Sequence, residues 1–162
     1  MKSNYLNNLS LKKLKFKKIG KNCKISNLIT FIGAKNISIG NNVRIDDFCV
    51  INSLEGYIQI SDNTNIGSFC YLLGSSAIKI GKNCNISQGV KIYSKSNDYK
   101  IKKIKQYYKS VNVGDNVIVG SNSVILPGTT IGDNSRIGAL TIVNKKIKKN
   151  CLFFKDQKKI VK

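Results

Sequence analysis

The chain of 162 residues is long enough for one domain with a real core and too short for two ordinary ones. Twenty-eight Lys and Arg against eight Asp and Glu give a formal charge of +20, and there is no histidine; such a charge draws a chain toward phosphates, nucleic acid or anionic lipid. Lys, Asn and Ile are all abundant, however, so a genome-wide codon bias is as good an explanation of the charge, and the lack of any arginine-rich or aromatic nucleic-acid motif argues against a nucleic-acid partner.

Residues 1–18, MKSNYLNNLSLKKLKFKK, carry lysines and asparagines where a secretory signal has its apolar region. No apolar run approaches the roughly 20 residues of a membrane span, so the chain reads as cytoplasmic, with no more than a peripheral membrane contact. The spacing of Tyr5, Leu6, Leu9, Leu11, Leu14 and Phe16 predicts an amphipathic helical segment that covers one end of whatever follows.

From Ile19 a six-residue frame recurs: IGKNCK and ISNLIT, then IGNNVR and IDDFCV from Ile39, and ISDNTN, IGSFCY and LLGSSA from Ile60. It continues as IGKNCN, ISQGVK and IYSKSN from Ile80, and after a gap as VGDNVI, VGSNSV, ILPGTT, IGDNSR, IGALTI and VNKKIK from Val113. The first position is aliphatic and points inward, and the second is often Gly. The fourth is Asn or Gly in most hexads, residue types that tolerate left-handed backbone angles, so it is a turn. The fifth is small or β-branched, and Cys23, Cys49, Cys70, Cys84 and Cys151 all fall on it, which reads them as buried small residues. Their spacings match no metal motif, and no metal is expected.

A short strand and a corner every six residues make a prism with three flat faces and about 18 residues per coil, stacked about 4.8 Å apart. The fold class is therefore all-β, a parallel β-helix over residues 19–151, with the capping segment at 1–18 and a basic tail at 152–162. Extra residues at ISIG, IQIS and IKIG lengthen some coils to about 20 or 21 residues. The frame breaks at 94–110, SKSNDYKIKKIKQYYKS, a segment that carries aromatics (Tyr99, Tyr107, Tyr108) among its lysines.

Five stretches, VRIDDFCVINS, TNIGSFCYLLG, IYSKSNDY, VIVGSNSVILPGTTIGDNSRIGALTIVNK and KKIVK, taken in order, resemble the hexapeptide-repeat acyltransferases, and within them the sugar or galactoside O-acetyltransferase branch. The resemblance spans roughly residues 15 to 162 and implies a left-handed β-helix assembled as a homotrimer, with acyl-CoA sites in the grooves between prisms and the 94–110 loop walling the acceptor site.

Acetyl transfer to a hydroxyl needs a base. Related sequences carry a histidine where this chain has Asn65, and a DDY sequence where it has Asn97, Asp98 and Tyr99. The resemblance therefore leaves Asp98 as the candidate base. Asn65 is then a group that polarises a carbonyl or orients a hydroxyl without accepting a proton. Ser96, Asn97 and Tyr99 are candidate substrate contacts. A neutral amine attacks a thioester unaided, which keeps transfer to nitrogen open.

By the same resemblance, acetyl-CoA lies along backbone amides of small residues at Gly120, Ser121, Gly138 and Ala139, and Lys145 and Lys146 meet its phosphates as point charges. The family's Gly-Asn-Pro tail is replaced here by Lys155, Asp156 and Gln157. Together these features point to an acetyl-CoA-dependent transferase acting on a sugar or nucleotide-sugar in surface polysaccharide assembly, O-acetylation standing slightly ahead of N-acetylation. A trimeric scaffold without turnover is the non-enzymatic alternative. Carbonic-anhydrase relatives of the fold are excluded, because their zinc needs histidines.

Overall fold

The computed structural model describes residues 4–98 and 105–154. Among these the chain winds as a parallel β-helix with three faces. The first face stacks Lys18–Ile19, Ile37–Ile39, Tyr57–Ile60, Ala77–Ile80, Val111–Val113, Thr130–Ile131 and Lys146–Ile147. The second stacks Lys24–Ile25, Arg44–Ile45, Asn65–Ile66, Asn85–Ile86, Ile118–Val119, Arg136–Ile137 and Leu152–Phe153. The third stacks Thr30–Ile32, Val50–Asn52, Tyr71–Leu73, Lys91–Tyr93, Val124–Ile125 and Ile142–Val143. Solenoid pairing thus continues past residue 151 into Leu152–Phe153, which lies beside Arg136–Ile137.

The first hexad position sends one aliphatic per strand inward, so columns such as Ile25, Ile45, Ile66, Ile86, Val119 and Ile137 are buried and stack coil on coil. Burial of such columns is the main stabilising term, at about 1.5–3 kcal/mol for each fully buried aliphatic side chain.

The fifth position has a second role that the sequence reading as a small apolar residue did not contain. Thr64, Ser123 and Ser135 donate from their hydroxyls to Gly81 O, Gly138 O and Lys148 O of the next coil at 2.8, 2.8 and 2.9 Å. Cys23, Cys49 and Cys84 donate from their thiols to Gly40 O, Gly67 O and Gly114 O, each at 3.1 Å. Cys, Ser and Thr are exchanged there because each is a small donor facing a carbonyl. Burial pushes the Cys84 thiol up from its ordinary value, which keeps it protonated and able to donate.

Between the first and second faces, Asn22, Asn42, Asn63, Asn83, Asn116, Asn134 and Asn150 all have left-handed backbone angles, with φ between 54 and 58°. Their side-chain amides form a ladder along the prism, each donating to the next at 2.9–3.3 Å. The sequence separations along this ladder give the coil lengths: 20, 21, 20, 33, 18 and 16 residues. The 33-residue coil contains the break in the hexads, and the break is an ordered hairpin, Lys95–Asp98 antiparallel to Lys105–Tyr108, rather than a plain loop.

The N-terminal segment departs from the expectation of a helix throughout. Among the described residues of this segment only α1, Asn8–Lys13, is helical; the Asn7 side chain caps it by accepting from Ser10 N at 2.9 Å, and Lys15 takes a left-handed φ of 52° just after its end. Ahead of it the chain is extended, with Leu6 N bonded to Ile25 O and Asn27 N to Asn4 O, both at 2.8 Å. This open edge of the second face is satisfied better by backbone pairing than by a helix lying across it. Leu11 is buried, Leu6, Leu14 and Phe16 pack on the end of the core, and Leu9 points away, 72% exposed.

Candidate functional site

Three regions hold the residues the sequence singles out. The first is the foot of the hairpin, at the corner between the third and first faces. Ser94 is buried there, donating to Leu73 O at 2.9 Å and accepting from Ser76 N at 2.9 Å, so the chain leaves the prism from a fixed point. Lys95 braces the hairpin, 3.3 Å from Glu55 and 5.0 Å above the Tyr108 ring. Across the hairpin Ser96 faces Tyr107, Asn97 faces Gln106 and Asp98 faces Lys105. Asp98 and Tyr107, with Lys109, Leu126, Pro127 and Asn144, line a cleft of about 490 Å³. Tyr99 and residues 155–157 lie outside the described residues.

The second region lies on the outer surface of the second face. Asn65 projects there, stacked in register between Arg44 below and Asn85 above. A cleft of about 240 Å³ is formed by these residues with Asp46, Ser87 and Gln88. Arg44 Nε donates to Asp46 Oδ1 at 2.6 Å, and this hydrogen bond raises the guanidinium further above its ordinary value, so it stays a cation at every relevant pH. Nothing in the sequence read along the chain put Arg44 or Gln88 beside Asn65; the coil lengths do so, and those became readable only from the register.

The third region is the corner between the second and third faces. Gly67 N, Ser87 N, Gly120 N and Gly138 N each bond a carbonyl one coil on, at 2.7–2.9 Å, which stacks these small residues in one column. A Cβ at Gly120 would lie 2.5 Å from Ala139 N, so the coils approach here as only glycine permits. Ser121 Oγ donates to Gln88 Oε1 at 3.3 Å and so links this corner to the cleft around Asn65. The structure brings Gly120, Ser121, Gly138 and Ala139 together as an open ledge. It does not bring Lys145 and Lys146 to that ledge within one chain, because the strand Ile142–Val143 stands between. Lys145 Nζ instead sits 4.8 Å above the Phe153 ring, and Lys146 faces outward on the first face. Asn65 and Asp98 likewise occupy separate clefts of one chain.

The same corner carries two aromatics that the sequence reading passed over. Phe48 and Phe69 occupy the fourth hexad position, where neighbouring coils have Gly89 and Asn122, and adopt φ of 60° and 63°. Their rings stack at 5.2 Å and remain 53% and 63% exposed. A bulky residue held in the left-handed region while exposed is costly. The signal that could have found them is an aromatic at a turn position.

Comparison with known proteins gives this geometry a class. Residues 110–145 match the model of the bacterial transferase hexapeptide (six repeats), and residues 57–94 that of the hexapeptide repeat of succinyl-transferase. The dTDP-4-amino-4,6-dideoxy-D-glucose acyltransferase of Escherichia coli is 39% identical over 152 residues, covering 87% of this chain and 79% of that one. Galactoside O-acetyltransferase of Escherichia coli (strain K12) is 34% identical over 103 residues, 58% of this chain and 51% of its own. Among solved structures, AntD, an N-acyltransferase from Bacillus cereus in complex with dTDP and 3-hydroxybutyryl-CoA, superposes with a TM-score of 0.85 at 29% identity, over 91% of this chain and 82% of that one.

The chain belongs to the hexapeptide-repeat acyltransferases, and its solenoid is the left-handed β-helix of that family.

Proposed function

We propose that this chain is a CoA-dependent N-acyltransferase whose acceptor is the amine of a dTDP-linked 4-amino-4,6-dideoxy sugar. The observation that carries this reading is the likeness to the E. coli dTDP-4-amino-4,6-dideoxy-D-glucose acyltransferase across 87% of the chain. It reverses the order of the two acceptors drawn from sequence, where a hydroxyl stood slightly ahead. The chemistry agrees: a neutral amine is nucleophilic without a base, whereas a hydroxyl is not, and the chain has no histidine to serve as one.

In this reading the ledge of Gly120, Ser121, Gly138 and Ala139 receives the pantetheine arm. Lys145 and Lys146 act at the phosphates of CoA bound against a neighbouring chain. The working form is a homotrimer in which the hairpin of one chain, with Ser96, Asn97, Asp98 and Tyr99, closes over the Asn65 cleft of the next. The sugar amine attacks the thioester carbonyl carbon; the new C–N bond forms as the C–S bond breaks. The ammonium proton passes to the departing thiolate, and the Asp98 carboxylate orients the amine and holds that proton in transit. Asn65 positions the acceptor.

A second reading, transfer to a sugar hydroxyl, is favoured by the galactoside O-acetyltransferase relative. Incubating the protein with acetyl-CoA and either dTDP-4-amino-4,6-dideoxyglucose or a galactoside, with products read by mass spectrometry, separates the two. The amide is expected at a rate about 10²-fold or more above any ester, the margin set by a hydroxyl acceptor that has no histidine base to activate it. Ester formation at the higher rate overturns the N-acyl reading, and no product from either acceptor leaves the scaffold alternative standing.

A further inference from the structure

We infer that the N-terminal base of the prism is a docking surface for an anionic membrane. The argument begins with where charge falls. Lys12, Lys13, Lys15, Lys17, Lys18, Lys21 and Lys24 lie within the capping segment and the first coil, and the first acidic residue of the chain is Asp46. All seven are exposed, and no ion pair ties any of them to an acid among the described residues.

A codon bias toward lysine does not by itself remove acids, and before Asp46 every charged residue of the chain is a cation. Stacked on Lys18 up the first face are Ser38, Gln59 and then Lys79, and on Lys24 up the second are Arg44, Asn65 and Asn85. At the intervening corner, Lys21 N bonds the Asn41 side chain and Asn41 N that of Asp62, so the column runs from cation to neutral to anion. The base is thus purely cationic, whereas the coils above it mix Lys79 and Lys82 with Asp62 and Asp115, and lysines recur at the far end at Lys145, Lys146, Lys148 and Lys149.

The base also has an apolar tip. Leu9 is 72% exposed while Leu11 of the same helix is buried. Leu9, Lys12 and Lys13 are three and four residues apart and share one face of α1, turned away from the core. A leucine flanked by lysines with long apolar stems suits the zone between headgroups and acyl chains. It offers nothing that reads a groove or stacks on a base, which disfavours nucleic acid as the occupant. The surface is also geometrically separate from the ledge and clefts above it, so docking leaves them open. The trimer proposed above would set three such bases in one plane, and simultaneous contact multiplies a weak single attachment.

The test is sedimentation of the full chain with vesicles of phosphatidylcholine alone or with one-quarter phosphatidylglycerol. Binding is expected only to the anionic vesicles, and to be lost at about 0.5 M salt, where charges a few ångströms apart are screened. Replacing Lys12, Lys13, Lys15 and Lys17 together by Gln is expected to lower partitioning at least about tenfold. Replacing Lys79, Lys82, Lys148 and Lys149 by Gln removes the same charge elsewhere and should change it less than about twofold. Leu9→Ser should weaken it at unchanged charge. Equal losses from both lysine sets, no binding to anionic vesicles, or release of the bound protein by an equimolar RNA homopolymer would each overturn the inference. Circular dichroism of every variant checks that the prism is intact.

Discussion

Asp98 is one of eight acidic residues in a chain with no histidine, and it stands at the end of a hairpin strand on the rim of a cleft about 490 Å³ in volume. If its carboxylate orients an amine and carries a proton onward, Asp98→Asn should lower kcat on an amino sugar by less than about tenfold. On a hydroxyl acceptor, where the same group must act as the base, the loss should be about 10² to 10⁴. Steady-state rates of the variant on both acceptors check this, and a loss of the larger size on the amine would make Asp98 a true base. Ala139 gives an independent handle on the donor. It is exposed and its backbone lies against Gly120, so Ala139→Trp adds bulk on the open side of the ledge without disturbing the core. The variant should fold and lose CoA binding by calorimetry. Undiminished affinity would move the pantetheine elsewhere.

At the scale of elements, what was legible in the sequence was whatever repeats. The aliphatic column, the turn position and the coil of about 18 residues all follow from a period of six, because each hexad solves the same local problem of one inward side chain and one corner. Irregular parts were legible only as gaps. The SKSNDY segment was visible as a break in the frame, yet its partner strand is Lys105–Tyr108, and its Lys95 meets Glu55, 40 residues away in sequence, a contact that only the stacking of coils creates. The N-terminal helix was overextended because leucine spacing does not reveal that the second face has an open backbone edge to be paired. The asparagine ladder is a regular feature whose energetic role the sequence did hint at. Replacing Asn83 by Ala leaves at a φ of 55° a residue without asparagine's tolerance of that region and removes the amide links to Asn63 and Asn116. Asn83→Gly removes the same links and keeps the backbone comfortable. The alanine variant should therefore be less stable than the glycine variant by about 1 kcal/mol, measured as the difference in denaturation free energy. Equal stabilities would mean that the ladder hydrogen bonds, and not the backbone angle, decide the residue type.

For the whole molecule, the separation of the candidate groups is the argument for assembly. Asn65 and Asp98 sit in different clefts, and Lys145 and Lys146 are cut off from the ledge of Gly120 and Gly138 by an intervening strand. In the site proposed above, a single chain supplies the parts without their convergence, and packing prisms side by side with their axes parallel is the simplest way to bring them together. Phe48 and Phe69 suit such a contact in the proposed trimer. They bear strained backbone angles and exposed stacked rings at the corner that also carries the ledge, a combination that becomes favourable once a neighbour removes the rings from water. The protein is expected to be a trimer by light scattering at micromolar concentration. Phe48→Asp with Phe69→Asp should yield a folded monomer, since neither ring belongs to the solenoid core, and acyl transfer should be lost along with the trimer. A double variant that remains trimeric would shift the contact to another face. A double variant that is monomeric yet fully active would show that one chain completes the site alone, and would overturn the shared-site arrangement.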